Sequence, residues 1–169
     1  MDSQDHPRNQ SLVIQWNCRS INSKRSDLIF LLNSYKPFAV SLQETWLRPG
    51  FNFRIPGHVC LREDRTDGYG GVALILRGGV PFVHLPIPNH SDKFSIIAAS
   101  VNNICFVNMY IPHPSNEAFD DIRSILSSLP RPILVMGDFN AQHSMWGSSK
   151  SDHYGARILD ILDDNNLCL

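Results

Sequence analysis

The chain alternates between short apolar runs and polar segments. Apolar runs of strand-like length cover 38–43, 57–61, 71–77, 80–85, 94–101, 104–110 and 133–136. Helical spacing of apolar residues predicts helices at 24–35, about 116–128 and about 155–163. The first helix has an apolar face and ends before Pro37; the residues of that face are Leu28, Leu31, Leu32 and Tyr35. The order of elements predicts an α/β fold with a β-rich middle.

Two short connections are predicted to be hairpins. Gly78-Gly79 joins the runs at 71–77 and 80–85, and Asn102-Asn103 joins the two runs that follow. Both pairs tolerate the positive φ angles that two-residue hairpin turns require.

The two ends of the chain differ in character. Residues 1–10 are polar throughout and are predicted to be a flexible tail ahead of one domain at 11–169. Leu167-Cys168-Leu169 has the pattern of a strand that is just beginning. A domain that stopped there would leave a sheet edge unpaired, so we expect the domain to be incomplete at its C-terminus.

Composition narrows the class of protein. A length of 169 residues with 43% hydrophobic content suits one domain with a sizeable core, and no run approaches the ~18 apolar residues of a membrane span. The cysteines lack C-x-x-C spacing, which argues against a zinc site and favours a reducing, intracellular setting. They are Cys18, Cys60, Cys105 and Cys168.

The net charge of −1 is not that of a strongly basic nucleic-acid binder, so a DNA-binding surface would have to be local. Candidates for it are Lys24, Arg25, Arg48, Arg54, Arg62 and Arg65.

Three polar signatures follow apolar runs. They are Trp16-Asn17, Gln43-Glu44-Thr45-Trp46 and Gly137-Asp138-Phe139-Asn140. The carboxyl ends of buried strands are where α/β proteins present reactive groups. Carboxylate and amide oxygens are ligands for Mg²⁺, and Mn²⁺ accepts the same ligands. The sequence therefore predicts a divalent-metal phosphodiesterase site.

Three of the candidate side chains have a second interpretation. Asp138 and Asn140 are two residues apart, so on an extended segment they would point the same way and meet one phosphate. The alternative is an Asx turn, which both residue types favour. Tyr110 ends the run at 104–110, and its hydroxyl could donate to a phosphate or belong to a core aromatic at the rim of the sheet.

In order and wording, the signatures resemble the endonuclease/exonuclease/phosphatase superfamily. The closest resemblance is to the apurinic-type endonuclease domain of non-LTR retrotransposons such as jockey-like elements, and it spans Leu12 to the end. It implies a four-layer αββα sandwich of the DNase I-like type, truncated before its C-terminal strands. The chain would cover about the first two-thirds of that pattern.

The resemblance also implies roles for individual residues. Glu44 would be the principal metal ligand, assisted by Asn17 at a second ligand position or at the phosphate. Asp138 would activate the attacking water, Asn140 would orient the phosphate, and Tyr110 would donate to it. His143 and Trp146 match the retrotransposon subgroup and would shape a loop or contact DNA.

The chain departs from the family pattern at two places. Ser151-Asp152-His153 spells the family's final catalytic motif, but it lies just ahead of the predicted third helix, where Ser and Asp serve as N-cap residues. The segment after Asn17 lacks the carboxylate of apurinic repair enzymes, so strong abasic-site activity is not expected.

The sequence thus predicts a Mg²⁺-dependent or Mn²⁺-dependent DNA endonuclease that nicks target DNA for retrotransposition. A fused reverse transcriptase is expected downstream in a full-length element, and the site of action is expected to be nuclear. Two alternatives stay open: a catalytically inactive remnant of such a domain, and another phosphodiesterase on the same scaffold.

Overall fold

The computed structural model describes residues 12–88, 90 and 92–169, so the predicted tail at 1–10 lies outside the described residues. The described part forms eight strands, three α-helices and one 3₁₀ turn. In chain order they are β1 (Val13–Asn17), α1 (Arg25–Tyr35), β2 (Ala39–Gln43), β3 (His58–Glu63), β4 (Val72–Arg77), β5 (Phe82–Leu85), β6 (Ser95–Val101), β7 (Ile104–Tyr110), α2 (Asn116–Ser128), β8 (Ile133–Asp138), the 3₁₀ turn (Ser144–Trp146) and α3 (His153–Asp164). Apart from the strand expected at 167–169, the helices and strands predicted from the sequence are confirmed to within a few residues.

The strands form two sheets of four. The first has the order β1-β2-β4-β3 and the second has the order β5-β6-β7-β8. In each sheet one pair is parallel, β1 with β2 and β7 with β8, whereas the other pairs are antiparallel. The parallel pairs of the two sheets lie against each other. Their carboxyl ends therefore meet at one end of the molecule.

Apolar side chains join the sheets and helices into four layers. Leu28 and Leu32 of α1 pack on the outer face of the first sheet. Phe119 of α2 and Ile161 of α3 pack on the outer face of the second. A third cluster lies between the sheets, where Phe106 meets Phe38 edge to face with ring centroids 5.5 Å apart. The αββα sandwich expected from the resemblance is confirmed.

One of the two predicted hairpins is wrong. Asn102 and Asn103 do form a hairpin turn between β6 and β7, with φ angles of 50° and 64°. Gly78-Gly79 does not, because β4 and β5 belong to different sheets. Gly78 N–H instead donates to the carbonyl of Gly57 at 2.7 Å, and the chain passes from one sheet to the other. In the sequence, a two-residue glycine connection looks the same whether it joins the strands of a hairpin or joins strands of two different sheets.

Two further expectations fail at element ends. Tyr35, placed on the apolar face of α1, is 58% exposed because it lies in the last turn, next to Lys36 at φ 47°. Leu167-Cys168-Leu169 is not a strand in the structure, because Leu167 N–H donates to the carbonyl of Leu162 and continues the end of α3. No helix in the described part of the chain is long and apolar enough to cross a membrane.

Candidate active site at the meeting strand ends

The polar signatures come together where the parallel strand pairs end. Asn17 is the last residue of β1, and Glu44 directly follows β2 in the same sheet. Tyr110 and Asp138 are the last residues of β7 and β8 in the other sheet, and they are register partners. The fold therefore brings these four side chains, separated by up to 121 positions in the sequence, into one cleft.

The amide of Asn17 links the two carboxylates. Its Nδ2 donates to Glu44 Oε1 at 2.8 Å and to Asp138 Oδ2 at 2.7 Å. Its Oδ1 is buried and has no hydrogen-bond partner among the described residues. A buried amide oxygen without a partner is costly unless something binds it. The cleft thus presents carboxylate oxygens and one unpaired amide oxygen.

Hydrogen bonds on both sides hold the backbone of Glu44 in a strained conformation. Its φ is 52°, in the left-handed region that non-glycine residues rarely occupy. Flanking hydrogen bonds hold the segment: Ser20 N–H donates to the carbonyl of Glu44 at 2.9 Å, and Trp46 N–H donates to the carbonyl of Gly70 at 2.9 Å. Such strain persists where surrounding structure over-determines the backbone, and it is common at functional sites.

Tyr110 borders the carboxylates with its hydroxyl protonated. Burial, followed by the charge of Glu44, a hydrogen bond with Glu44 and the charge of Asp138, raises the pKa of Tyr110 to about 12. Burial and nearby negative charge both disfavour the phenolate. The side chain is therefore a neutral hydrogen-bond donor across the physiological pH range.

We expect this protonation state to be visible in an alkaline titration of the metal-free protein. The ultraviolet absorbance of phenolate should keep rising to a pH near 12, and Tyr110→Phe should remove that last phase. Because the folded-state pKa is raised, the stability contributed by this group is present below its ordinary pKa of about 10 and is lost as the pH rises through the folded value. Tyr35→Phe, at an exposed position, is the matched control, and an unchanged last phase in Tyr110→Phe would contradict the assignment.

Asn140 does not extend β8 as expected. The strand ends at Asp138, and Asn140 has a φ of 48°. Its backbone N–H donates to Asp138 Oδ1 at 3.1 Å, which is an Asx turn, so the extended geometry predicted for these two residues is wrong. Asn140 Nδ2 donates to the carbonyl of Ile111, which follows Tyr110. Asn140 therefore closes the rim of the cleft and fixes one oxygen of Asp138.

A glutamine in β1 holds the backbone next to Asp138. Gln15 Nε2 donates to the carbonyl of Gly137 at 2.8 Å, and Gly137 N–H donates to Gln15 Oε1 at 3.3 Å. Gly137 sits so close to β7 that a Cβ there would lie 2.3 Å from the carbonyl oxygen of Met109. The glycine of the third signature is therefore required by close strand approach, and Gln15 acts as a partner for the edge of β8.

A buried polar network supports the cleft from below, between the sheets. Asn108 of β7 is fully buried, and its Nδ2 donates to the carbonyls of Leu42 and Ala73 at 2.9 Å each. Gln43 Nε2 donates to Asn108 Oδ1 at 2.7 Å. Sequence reasoning missed Asn108 and Gln15, because a polar residue inside a strand-like run is indistinguishable from one that faces solvent.

The remaining candidate DNA-contacting residues make contacts within the protein. Trp146 Nε1 donates to the carbonyl of Ala141, and the His143 ring accepts from Met145 N–H and lies 5.2 Å from the Trp146 ring. These two residues shape the loop after the third signature.

Of the basic candidates, Arg62 pairs with Asp64 and Arg65 with Asp67, whereas Arg48 is exposed. The remaining basic candidates are Lys24, which lies over the Trp16 ring, and Arg25 and Arg54, of which Arg25 donates to the carbonyl of Arg54.

The Ser151-Asp152-His153 triplet has structural contacts. Asp152 is the N-cap of α3, and its side chain accepts from Gly155 N–H at 2.7 Å and from Gln142 N–H at 3.1 Å. His153 contacts Asn116 Oδ1, and Ser151 Oγ accepts from Ser144 N–H. These contacts match the N-cap interpretation of the motif.

Asp152→Ala is expected to destabilise the protein by about 1–2 kcal/mol, because it removes the cap of α3 and leaves two backbone N–H groups without that acceptor. Urea denaturation measures the change. Asp163→Ala, at an exposed position in the last turn of the same helix, is the control and should be neutral within about 0.5 kcal/mol. Equal midpoints for the two variants would count against the cap.

The donor set fits a hard divalent cation. In the part of the chain that the structure describes, no group of three or more His, Cys, Asp or Glu side chains could hold a metal ion. Mg²⁺ is nevertheless commonly held by one or two carboxylates plus waters and substrate phosphate. Glu44 and the unpaired Asn17 Oδ1 supply oxygen ligands of that kind.

Comparison with known proteins shows what the chain is similar to. The family described as Endonuclease-reverse transcriptase matches residues 104–169, which include Tyr110, Asp138 and Asn140. The RNA-directed DNA polymerase from mobile element jockey of Drosophila melanogaster is 25% identical over 154 residues, which cover 87% of this chain and 17% of that protein. The chain thus spans about a sixth of the length of this relative.

Solved structures share the fold. The endonuclease domain of TRAS1, a telomere-specific non-LTR retrotransposon, superposes with a TM-score of 0.72 at 19% identity, over 90% of this chain and 69% of that one. The chain resembles the endonuclease domains of non-LTR retrotransposons. The 3' phosphatase NExo from Neisseria, bound to a product DNA hairpin, has a TM-score of 0.66 at 18% identity, over 89% and 70% of the two chains. The sandwich is therefore of the DNase I-like type, and the resemblance read from the sequence is confirmed.

Proposed function

We propose that this endonuclease-type domain hydrolyses DNA phosphodiester bonds with the help of a divalent cation and nicks target DNA for retrotransposition. The observation that carries the proposal is the single amide of Asn17, which holds Glu44 and Asp138 together at the meeting strand ends. The similarity to retrotransposon polyproteins supports a reverse transcriptase as a fused partner and the nucleus as the place of action.

The residues divide the work of hydrolysis among them. Glu44 and Asn17 Oδ1 would hold Mg²⁺ or Mn²⁺, which neutralises charge on the phosphoryl group. Asp138, with one oxygen fixed by Asn17 and the other by Asn140 N–H, takes the proton of the attacking water. Tyr110 keeps its proton and donates a hydrogen bond to a phosphoryl oxygen. Asn140, held at the rim, orients the same phosphate.

The test uses the 169-residue chain and supercoiled plasmid. Incubation with Mg²⁺ or Mn²⁺ should produce nicked circles, and EDTA should prevent it. If neither Mg²⁺ nor Mn²⁺ supports nicking, the proposal is contradicted and the chain is an inactive relative. Hydrolysis of bis(p-nitrophenyl) phosphate without plasmid nicking would indicate another phosphodiesterase on the same scaffold.

A salt series adds a second criterion. Binding to a DNA duplex should weaken steeply between roughly 50 and 200 mM salt, because phosphate contacts release counterions. A small phosphodiester substrate has no such array of charges, so its hydrolysis should change little over that range.

A further inference from the structure

Arg19 stands beside the carboxylates without a strong partner of its own. Its Nε lies 3.9 Å from Glu44 Oε2, a distance too long for a hydrogen bond. The Arg19 side chain is 74% exposed, whereas that of Glu44 is 14% exposed. An ion pair at this separation, with its arginine exposed to solvent, contributes little to stability, so stability does not explain the arginine.

The backbone turn that carries Arg19 is held next to the segment that carries Glu44. Arg19 and Ser20 have φ angles of 42° and 79°, both in the left-handed region. The N–H groups of Cys18 and Ser20 donate to the carbonyls of Gln43 and Glu44 at 3.0 and 2.9 Å. The turn that carries Arg19 is thus fastened residue by residue to the segment that carries Glu44.

The exposed guanidinium of Arg19 lies beside Glu44. No hydrogen bond of the Arg19 guanidinium to another described residue occurs. Its planar fork of N–H donors matches two oxygens of one phosphate.

The geometry points to Arg19 as a phosphate-binding residue that contacts the scissile phosphate beside Glu44. The segment from Cys18 to Lys24 contains no carboxylate, and the acidic side chain that the Arg19 guanidinium approaches is Glu44. The protein therefore binds a DNA phosphate through Arg19 before any cation enters. This inference rests on the proposed function for the identity of the substrate alone.

Binding to metal-free protein tests the inference. In EDTA, a fluorescein-labelled DNA duplex should bind the Arg19→Ala variant roughly 10-fold or more weakly than wild type at low salt, since a hydrogen bond to a charged group contributes about 1.5–3 kcal/mol. The slope of log affinity against log salt should fall by about one, the loss of a single phosphate contact. Arg19→Lys should restore the slope and only part of the affinity, because it keeps the charge and loses the fork.

The matched control is Arg77→Ala, which removes the same charge at the opposite end of the first sheet. Arg77 is the last residue of β4, whereas Val72, at the start of that strand, pairs with Gln43 next to the site. Inorganic phosphate, added to wild type, should shift the Arg19 Nε–H resonance in the NMR spectrum and leave that of Arg77 unchanged. Equal DNA affinity and salt slope for Arg19→Ala and Arg77→Ala would overturn the inference, as would an unshifted Arg19 resonance.

The inference and the proposed function can fail separately. If wild type nicks plasmid and Arg19→Ala binds metal-free duplex as wild type does, the nuclease stands and the role of Arg19 is refuted. If the slope changes as expected and no plasmid is nicked with either cation, Arg19 binds phosphate and the nuclease proposal is refuted.

Discussion

Glu44→Gln is expected to lower plasmid nicking by more than about 100-fold and to weaken Mg²⁺ binding to a similar degree. Glutamine keeps the size of the side chain and can keep one oxygen near Asn17 Nδ2, but it removes the negative charge that a hard cation requires. Changes in residues that only support metal ligands already cost about 10–100-fold in affinity or activity. Loss of a ligand should exceed that range.

Isothermal titration calorimetry with Mg²⁺ and the plasmid assay measure the two effects. Glu117→Gln is the matched control, because Glu117 lies exposed in the first turn of α2 and pairs with Lys93 rather than with a residue of the site. The backbone demand at position 44 is the same for glutamine as for glutamate, so folding should be preserved. Nicking by Glu44→Gln at the level of the Glu117→Gln variant would remove Glu44 from the proposed site.

The part of the fold that depends on local pattern could be predicted from the sequence. The strands and helices follow apolar periodicity, and Asn102-Asn103 forms its turn because two adjacent residues must accept positive φ. The failure at Gly78-Gly79 has the opposite cause. Whether β5 pairs with β4 or with β6 depends on residues at 98–101, which a local pattern does not contain.

The site, like the fold, could be predicted where it depends on local sequence and could not be predicted where it depends on how distant segments meet. Asn17, Glu44, Tyr110 and Asp138 could be found because each ends a strand-like run and lies in a recognisable signature. Their roles remain predictions, but their gathering in one cleft is a structural fact. What the sequence could not reveal is how the segments face each other. The Arg19 approach to Glu44 results from left-handed backbone at two successive residues, and no residue preference predicts that conformation for Arg and Ser.

The buried Asn108 network between the sheets should be costly to remove. Asn108→Leu is expected to destabilise the protein by on the order of 4 kcal/mol, because it removes the side-chain donor to the carbonyls of Leu42 and Ala73 and leaves Gln43 Nε2 with Ser41 Oγ as its remaining acceptor. Leucine has nearly the shape of asparagine, so the loss measures hydrogen bonds more than volume. The urea midpoint should fall with little change in m.

Asn33→Leu makes the same substitution at an exposed position of α1 and should shift the free energy of unfolding by no more than about 0.5 kcal/mol. A midpoint for Asn108→Leu equal to that of this control would show that the network does not hold the sheets together. If the network does hold them, its effect extends to the cleft, because Gln43 immediately precedes Glu44 and Asn108 lies two residues before Tyr110. The distance between the first and second sheets is then set at the residues next to the site, and Asn17 can span it to reach Asp138 only while that spacing is kept.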